Sequence, residues 1–199
     1  DAGILLPINI GTIGISFSQF GYEHYNENLF GLGLSRSFGQ NLRIGLKLYY
    51  MSIRFSEEYE NRSVPTFDLG IQYQINKSLC LGAYIFNPIN VRIGSLNKDK
   101  VPIIMRIGFA YHIVDEFMIC GEIEENFDDD FSFRFGLEYE AYKNVFVRSG
   151  FQLMPCLFTF GIGYDYKRFV VDVAAQMNQD LGVSMSCSMI FKMNGINKM

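Results

Sequence analysis

The chain has 199 residues, 49% of them hydrophobic and only 19% charged, which excludes a disordered chain and argues against an ordinary charged-surface soluble domain. Nineteen Gly, 19 Phe and 12 Tyr beside five Pro and no Trp are the mixture of many strands joined by tight turns. With 17 basic against 21 acidic residues the net charge is −4, so the chain as a whole does not attract nucleic acid or an anionic surface.

The opening DAGILLPINI shows no basic region followed by a cleavage site, so no signal peptide is visible. The uncharged stretch from Ala2 to Tyr22 has the length of a membrane helix, but it holds four glycines, Pro7 and several polar residues, and a transmembrane helix is rejected. Apolar residues alternate with period two from end to end, and no stretch repeats at i, i+3, i+4 and i+7 for three turns. The alternation predicts twelve strands: 8–18, 27–38, 41–55, 64–75, 78–87, 102–113, 115–126, 130–140, 144–153, 157–166, 168–178 and 182–193. Short links at Gly39-Gln40, Asn76-Lys77, Val114, Tyr142-Lys143 and Lys167 alternate with links that include 19–26, 56–63 and 88–101. Short links share one end of a sheet, and an even strand count would put both termini at that end.

The fold expected is therefore an all-β, antiparallel up-and-down transmembrane β-barrel, with residues 1–199 as a single domain. Twelve strands leave about 17 residues per strand and link, room for membrane strands of about 9 to 11 residues. A soluble all-β binding domain has the same alternation, so the composition of the two faces must arbitrate. One face reads Leu42, Ile44, Leu46, Leu48, Tyr50, then Phe67, Leu69, Ile71, Tyr73, and Ile103 to Tyr111 in steps of two. It continues with Phe131 to Tyr139 and Phe169 to Met177, and Arg36 is its one charge. The Tyr residues ending these rows have the placement of an interfacial aromatic girdle.

The other face takes eleven of the nineteen glycines, and it carries six charges of each sign: Arg43, Lys47, Asp68, Arg106, Glu122, Glu124, Arg134, Glu138, Arg148, Asp165, Asp172 and Lys192. Small residues suit a crowded concave wall. From this set Arg106, Glu122, Arg134, Glu138, Arg148, Asp165 and Asp172 are expected to form a structural charge network in the lumen, with cross-strand pairs among Arg134, Glu138 and Arg148. Tyr84, Phe86 and Phe146 on the same face are candidate contacts for a hydrophobic ligand, or fillers.

Chemistry for catalysis is sparse. His24 and His112 stand 88 residues apart, Cys80, Cys120, Cys156 and Cys187 are spaced too widely for a zinc knuckle or a redox pair, and no nucleophile elbow or phosphate loop occurs. Ser132 or Ser184 with His112 is not selected by any spacing. Asp128-Asp129-Asp130, near Glu124 and Glu125, is a calcium-capable cluster that reads more simply as a solvated acidic tip. No catalytic residue, metal or cofactor is expected. Asn61-Arg62-Ser63 and Asn76-Lys77-Ser78 fit the glycosylation pattern, which is without meaning in a bacterial barrel.

The order of several short pieces carries a resemblance. They are Gly21-Tyr22 with Tyr25, Phe67-Asp68-Leu69-Gly70, Asn87-Pro88, Val101-Pro102 through Arg106-Ile107-Gly108, Gly121-Glu122-Ile123-Glu124, and Arg134 through Tyr139. Arg148-Ser149-Gly150-Phe151, Phe158 through Gly163 and Leu181-Gly182 complete the set. The chain resembles the Bacteroidota PorV/PorQ-like outer-membrane proteins, distant relatives of the FadL barrels. Two departures stand out: such proteins have about fourteen strands, so this chain looks like the C-terminal twelve or a reduced relative, and Phe191 is followed by KMNGINKM where many barrels end on an aromatic. The resemblance implies a non-enzymatic protein of the outer membrane of a Gram-negative, Bacteroidota-like bacterium. Its role would be a type IX secretion scaffold or shuttle, whose long links meet secretion proteins or exported cargo. The alternative is FadL-like transport of hydrophobic small molecules. Outer-membrane lipid is the expected partner in both, nucleic acid in neither.

Overall fold

A computed structural model describes residues 1–22, 25–55, 62–93, 99–127, 131–178 and 182–193. Among these described residues fifteen strands follow one another: β1 (Ala2–Ile8), β2 (Gly11–Tyr22), β3 (Tyr25–Phe38), β4 (Leu42–Phe55), β5 (Arg62–Gln74), β6 (Leu79–Phe86), β7 (Arg92–Ile93) and β8 (Asp99–Lys100). Then come β9 (Ile104–Val114), β10 (Phe117–Asn126), β11 (Ser132–Tyr142), β12 (Val145–Leu153), β13 (Leu157–Tyr166), β14 (Phe169–Asn178) and β15 (Gly182–Phe191). Thirteen form one up-and-down sheet in chain order, while β7 and β8 pair only with each other. Among the described residues there is no helix. The chain divides into two compact units, Asp1–Ile75 with Leu81–Ile107 in the first and Gly108–Glu124 with β11 to β15 in the second.

Eleven of the twelve expected strands match closely, and the differences lie at the start and in the expected link 88–101, where β7 and β8 pair. The expected strand 8–18 is β2, displaced to Gly11–Tyr22, and an unexpected strand, β1, precedes it, paired from Ala2 opposite Phe17 to Ile8 opposite Gly11. The segment AGILLPI is apolar on both faces, so period two does not show in it. The added strand reverses the direction of entry: β1 begins at the long-link end, where an even count would have placed the short-turn end. The expected link 19–26 is also largely strand, because the β2–β3 ladder continues to Tyr22 opposite Tyr25. Its Gln and Asn residues suggest a loop, but two strands already in register continue to pair beyond the apolar stretch. Residues 56–61 and 94–98 of the other two long links, His24, Asn61, Asp128 to Asp130, Leu181 and the tail from 194 lie outside the described residues.

In the first unit the register sets one apolar row beside the next. Leu34, Leu46 and Leu69 align across β3, β4 and β5, as do Leu32, Leu48 and Phe67. Along β4 the row runs from Leu42 to Tyr50 and stops at Ser52, which stands beside Asn28 and Ser63. At about 3.4 Å per residue this is an apolar stretch about 27 Å long. Tyr50 closes it and donates a hydrogen bond to Ser63 Oγ at 2.8 Å. The second unit repeats the pattern with Phe135, Phe151 and Phe158 side by side.

These rows stay exposed: Leu48 is 53% and Ile162 61% accessible, and among the described residues the buried apolar side chains are Val101 and Leu157. Burying a Leu, Ile or Phe is worth about 1.5–3 kcal/mol, so a sheet that left such a face in water would discard its main stabilisation. A soluble sandwich would cover it.

Asn87 anchors the link after β6. It is fully buried with a left-handed φ of 52°, a conformation Asn tolerates better than most residues. Its Oδ1 accepts from Thr66 Oγ1 at 2.8 Å and from the Val91 amide at 3.1 Å, and its Nδ2 donates to the Val101 carbonyl at 2.7 Å. Its own amide donates to the Phe67 carbonyl at 2.9 Å. One side chain thus ties both described parts of the 88–101 link to β5.

Candidate functional site

Because side chains alternate along a strand, the residues opposite the apolar rows share the second face, and the chemistry collects there. In the first unit Asp68 on β5 is the centre. Its Oδ2 accepts hydrogen bonds from Tyr49 Oη at 2.7 Å and Tyr84 Oη at 3.0 Å, and the residue is only 7% exposed. The Phe86 ring meets that of Tyr49 edge-on at 5.7 Å, Lys47 Nζ lies 4.6 Å from the Tyr49 centroid, and the Arg106 guanidinium lies 5.5 Å from that of Tyr84. The result is three aromatic rings around a buried carboxylate, edged by two cations. Such a surface can hold an apolar ring by stacking and edge contacts, while both hydroxyls are already occupied.

The second unit holds the charges. Arg134 on β11 donates to Glu122 at 2.7 Å and to Glu124 at 2.7 and 2.9 Å, both on β10, and to Gln152 Oε1 on β12 at 3.0 Å. Arg148 on β12 donates to Glu138 at 2.6 Å, its register partner on β11, and to Asp172 on β14. Lys192 reaches Asp165 at 2.7 Å. The bidentate grip of Arg134 on Glu124 is the stronger geometry, whereas these partly exposed pairs individually contribute little.

Of the expected network, Glu122, Arg134, Glu138, Arg148, Asp165 and Asp172 thus fall into three clusters, and Arg106 lies over the Tyr84 ring in the first unit. Arg134 and Arg148 turn to different carboxylates. Phe146 lies under Arg148, with the guanidinium 5.6 Å from its centroid. The spacing did not single out Tyr49, Thr66, Asn87 or Gln152; for Tyr49, Thr66 and Gln152 the signal was present, since period two places all three on the charged face. Among the described residues no three metal-ligating side chains group together. His112 and Ser132 remain apart from any such set, with Ser132 Oγ donating to the Leu153 carbonyl at 3.1 Å.

No family model and no curated protein matches the chain. Solved structures do. The Pseudomonas putida toluene transporter TodX aligns with a TM-score of 0.68 at 12% identity, over 94% of this chain and 79% of that one. The Ralstonia pickettii toluene transporter TbuX gives 0.67 at 10% identity over 94% and 78%, and a Pseudomonas aeruginosa FadL homologue gives 0.64 at 11% over 94% and 74%. These likenesses are to transporters and not to enzymes, and at such identities they show the fold alone: the all-β, antiparallel, up-and-down fold of the FadL-type barrels.

Proposed function

We propose that the chain is one non-enzymatic β-barrel domain of a Gram-negative outer membrane that carries hydrophobic small molecules. The observation that carries this reading is the ring cluster of Tyr49, Tyr84 and Phe86 on the charged face of a sheet sharing its fold with two toluene transporters. The exposed apolar face supports the membrane setting. At the usual barrel tilt of about 35–45°, its 27 Å rows would stand about 20 Å tall, near the ~25 Å band of outer-membrane barrels. The charge clusters would then brace the lumen wall. The likenesses favour FadL-like transport over the PorV/PorQ-like secretion scaffold; neither that role nor a Bacteroidota source has an observation in its favour here.

The test begins with the full-length protein in membranes, run on a gel with and without boiling, to establish the folded barrel. Accumulation of labelled toluene is then measured in cells lacking their own monoaromatic transporter. Accumulation above vector that drops several-fold in a folded Tyr49→Ala/Phe86→Ala variant supports the reading. A heat-modifiable barrel that accumulates none overturns it.

A further inference from the structure

Among the described residues of the first unit the buried side chains are Thr66, Asp68, Asn87 and Val101, on a sheet whose apolar rows stay exposed. They gather in one place. Thr66 and Asp68 alternate along β5 on the charged face, where Asp68 is held by the hydroxyls of Tyr49 and Tyr84. Thr66 stands two residues, about 7 Å, nearer the long-link end, opposite Tyr49 in the register. A link that rose straight away from the sheet would leave its polar groups to water and cover nothing on this face.

What covers Thr66 is the start of the 88–101 link. Asn87 directly follows Phe86 of the ring cluster, and Thr66 Oγ1 donates to its Oδ1 at 2.8 Å, which fixes the Asn87 side chain on the charged face. From there it holds the link at both ends, accepting from the Val91 amide at 3.1 Å and donating to the Val101 carbonyl at 2.7 Å. The Val101 amide donates to the Val91 carbonyl at 3.1 Å, and the pairing continues into β7 and β8 with Arg92 opposite Lys100. The departing and returning arms are thus pinned to the wall by one buried side chain. Its anchor, Thr66, is one cross-strand spacing, about 5 Å, from Tyr49.

We propose that Thr66 and Asn87 are positioning residues for transport. They hold the link, at Asn87 to Val91 and at Val101, against the lumen wall as a constriction on the long-link side of the ring cluster, and this constriction sets the largest ligand that reaches Tyr49, Tyr84 and Phe86. The inference rests on the transport reading and adds a size limit to it. A segment bound to the wall takes up lumen cross-section at its level, and a narrow passage discriminates by ligand width. Both tyrosine hydroxyls are occupied by Asp68, so width is left to select where hydrogen bonding to the rings does not.

The test measures labelled toluene and labelled pyrene, a single ring against a fused polycycle, accumulated above vector by cells that lack their own aromatic-hydrocarbon transporter and express the full-length protein. Wild type should take up toluene and little pyrene. Thr66→Val keeps the shape of the side chain but removes the donor to Asn87, and Asn87→Gly keeps the backbone conformation but removes the pin. In both, with heat-modifiable migration showing a folded barrel, the pyrene-to-toluene ratio should rise several-fold. Thr66→Ser keeps the hydroxyl and should keep the wild-type ratio. A ratio unchanged in the folded variants, a loss of both ligands together in them, or pyrene entering wild type as freely as toluene would each overturn the constriction with the transport reading standing. A heat-modifiable wild type that accumulates neither ligand would overturn the transport reading itself.

Discussion

Arg148 on β12 and Asp172 on β14 meet across the intervening strand in the space left by the absent side chain of Gly163. The register places Gly163 opposite Phe146 on one side and Asp172 on the other, so any larger residue would stand between the two charges. Gly31 plays a comparable part in the first unit, where an added Cβ would lie 2.6 Å from Ser16 Oγ and run into the Lys47 side chain. Glycine on this face is thus a spacing device for long charged side chains.

Gly163→Ala should therefore destabilise the folded protein. Its Cβ would lie 2.6 Å from Arg148 Nη1, so the guanidinium must swing away from Asp172, and the loss of one partly exposed ion pair costs up to about 1 kcal/mol. Gly82→Ala, where the nearest atom is the Ile71 carbonyl oxygen at 3.8 Å, should leave stability nearly unchanged. Urea midpoints of the folded forms in detergent compare the two, and equal midpoints would show that the gap at Gly163 is dispensable.

Asn87→Gly should free the 88–101 link. Glycine keeps the left-handed φ but removes the acceptor for Thr66 and Val91 and the donor to Val101, and each buried polar group left without a partner costs about 1–3 kcal/mol. Amide exchange at Val91 and Val101 should accelerate well before global unfolding. Asn87→Ala should be worse, since it adds the strain of a positive φ. Unchanged exchange in the Gly variant would mean that the backbone alone holds the link.

Tyr49→Phe combined with Tyr84→Phe keeps both rings but strips the Asp68 carboxylate of its two hydroxyl donors. Hydrogen bonds to a charged group contribute about 1.5–3 kcal/mol each, so the double variant should unfold at lower urea. Adding Asp68→Leu should recover part of the loss by removing the stranded carboxylate. A triple variant no more stable than the double would place the weight of the cluster on the rings instead.

Leu46→Arg introduces a charge in the middle of the apolar row, where a lipid-facing cation costs about 2–4 kcal/mol near the membrane midplane. Heat-modifiable protein in the membrane fraction should fall sharply. Gln72→Lys, which the register places beside Arg43 on the charged face, should assemble as wild type. Equal assembly of both variants would count against a lipid-facing row.

The sequence by itself determined the class and the faces. Alternation of period two decides which residues share a side of a strand before any partner is known, and it allotted Leu46 and Phe135 to one face and Arg134, Arg148 and Asp172 to the other. It could not reveal β1, whose residues are apolar on both sides, or the continuation of β2 and β3 past residue 19, where pairing follows the register already set and not hydrophobicity. Only the tertiary structure decided which charges meet. Arg134 reaches Glu122, Glu124 and Gln152 while Arg148 takes Glu138 and Asp172, because strand register and an empty glycine position fix what lies within reach of a long side chain. Those distances arise between residues 10 to 24 positions apart on different strands, and a single strand carries no record of its neighbour's stagger.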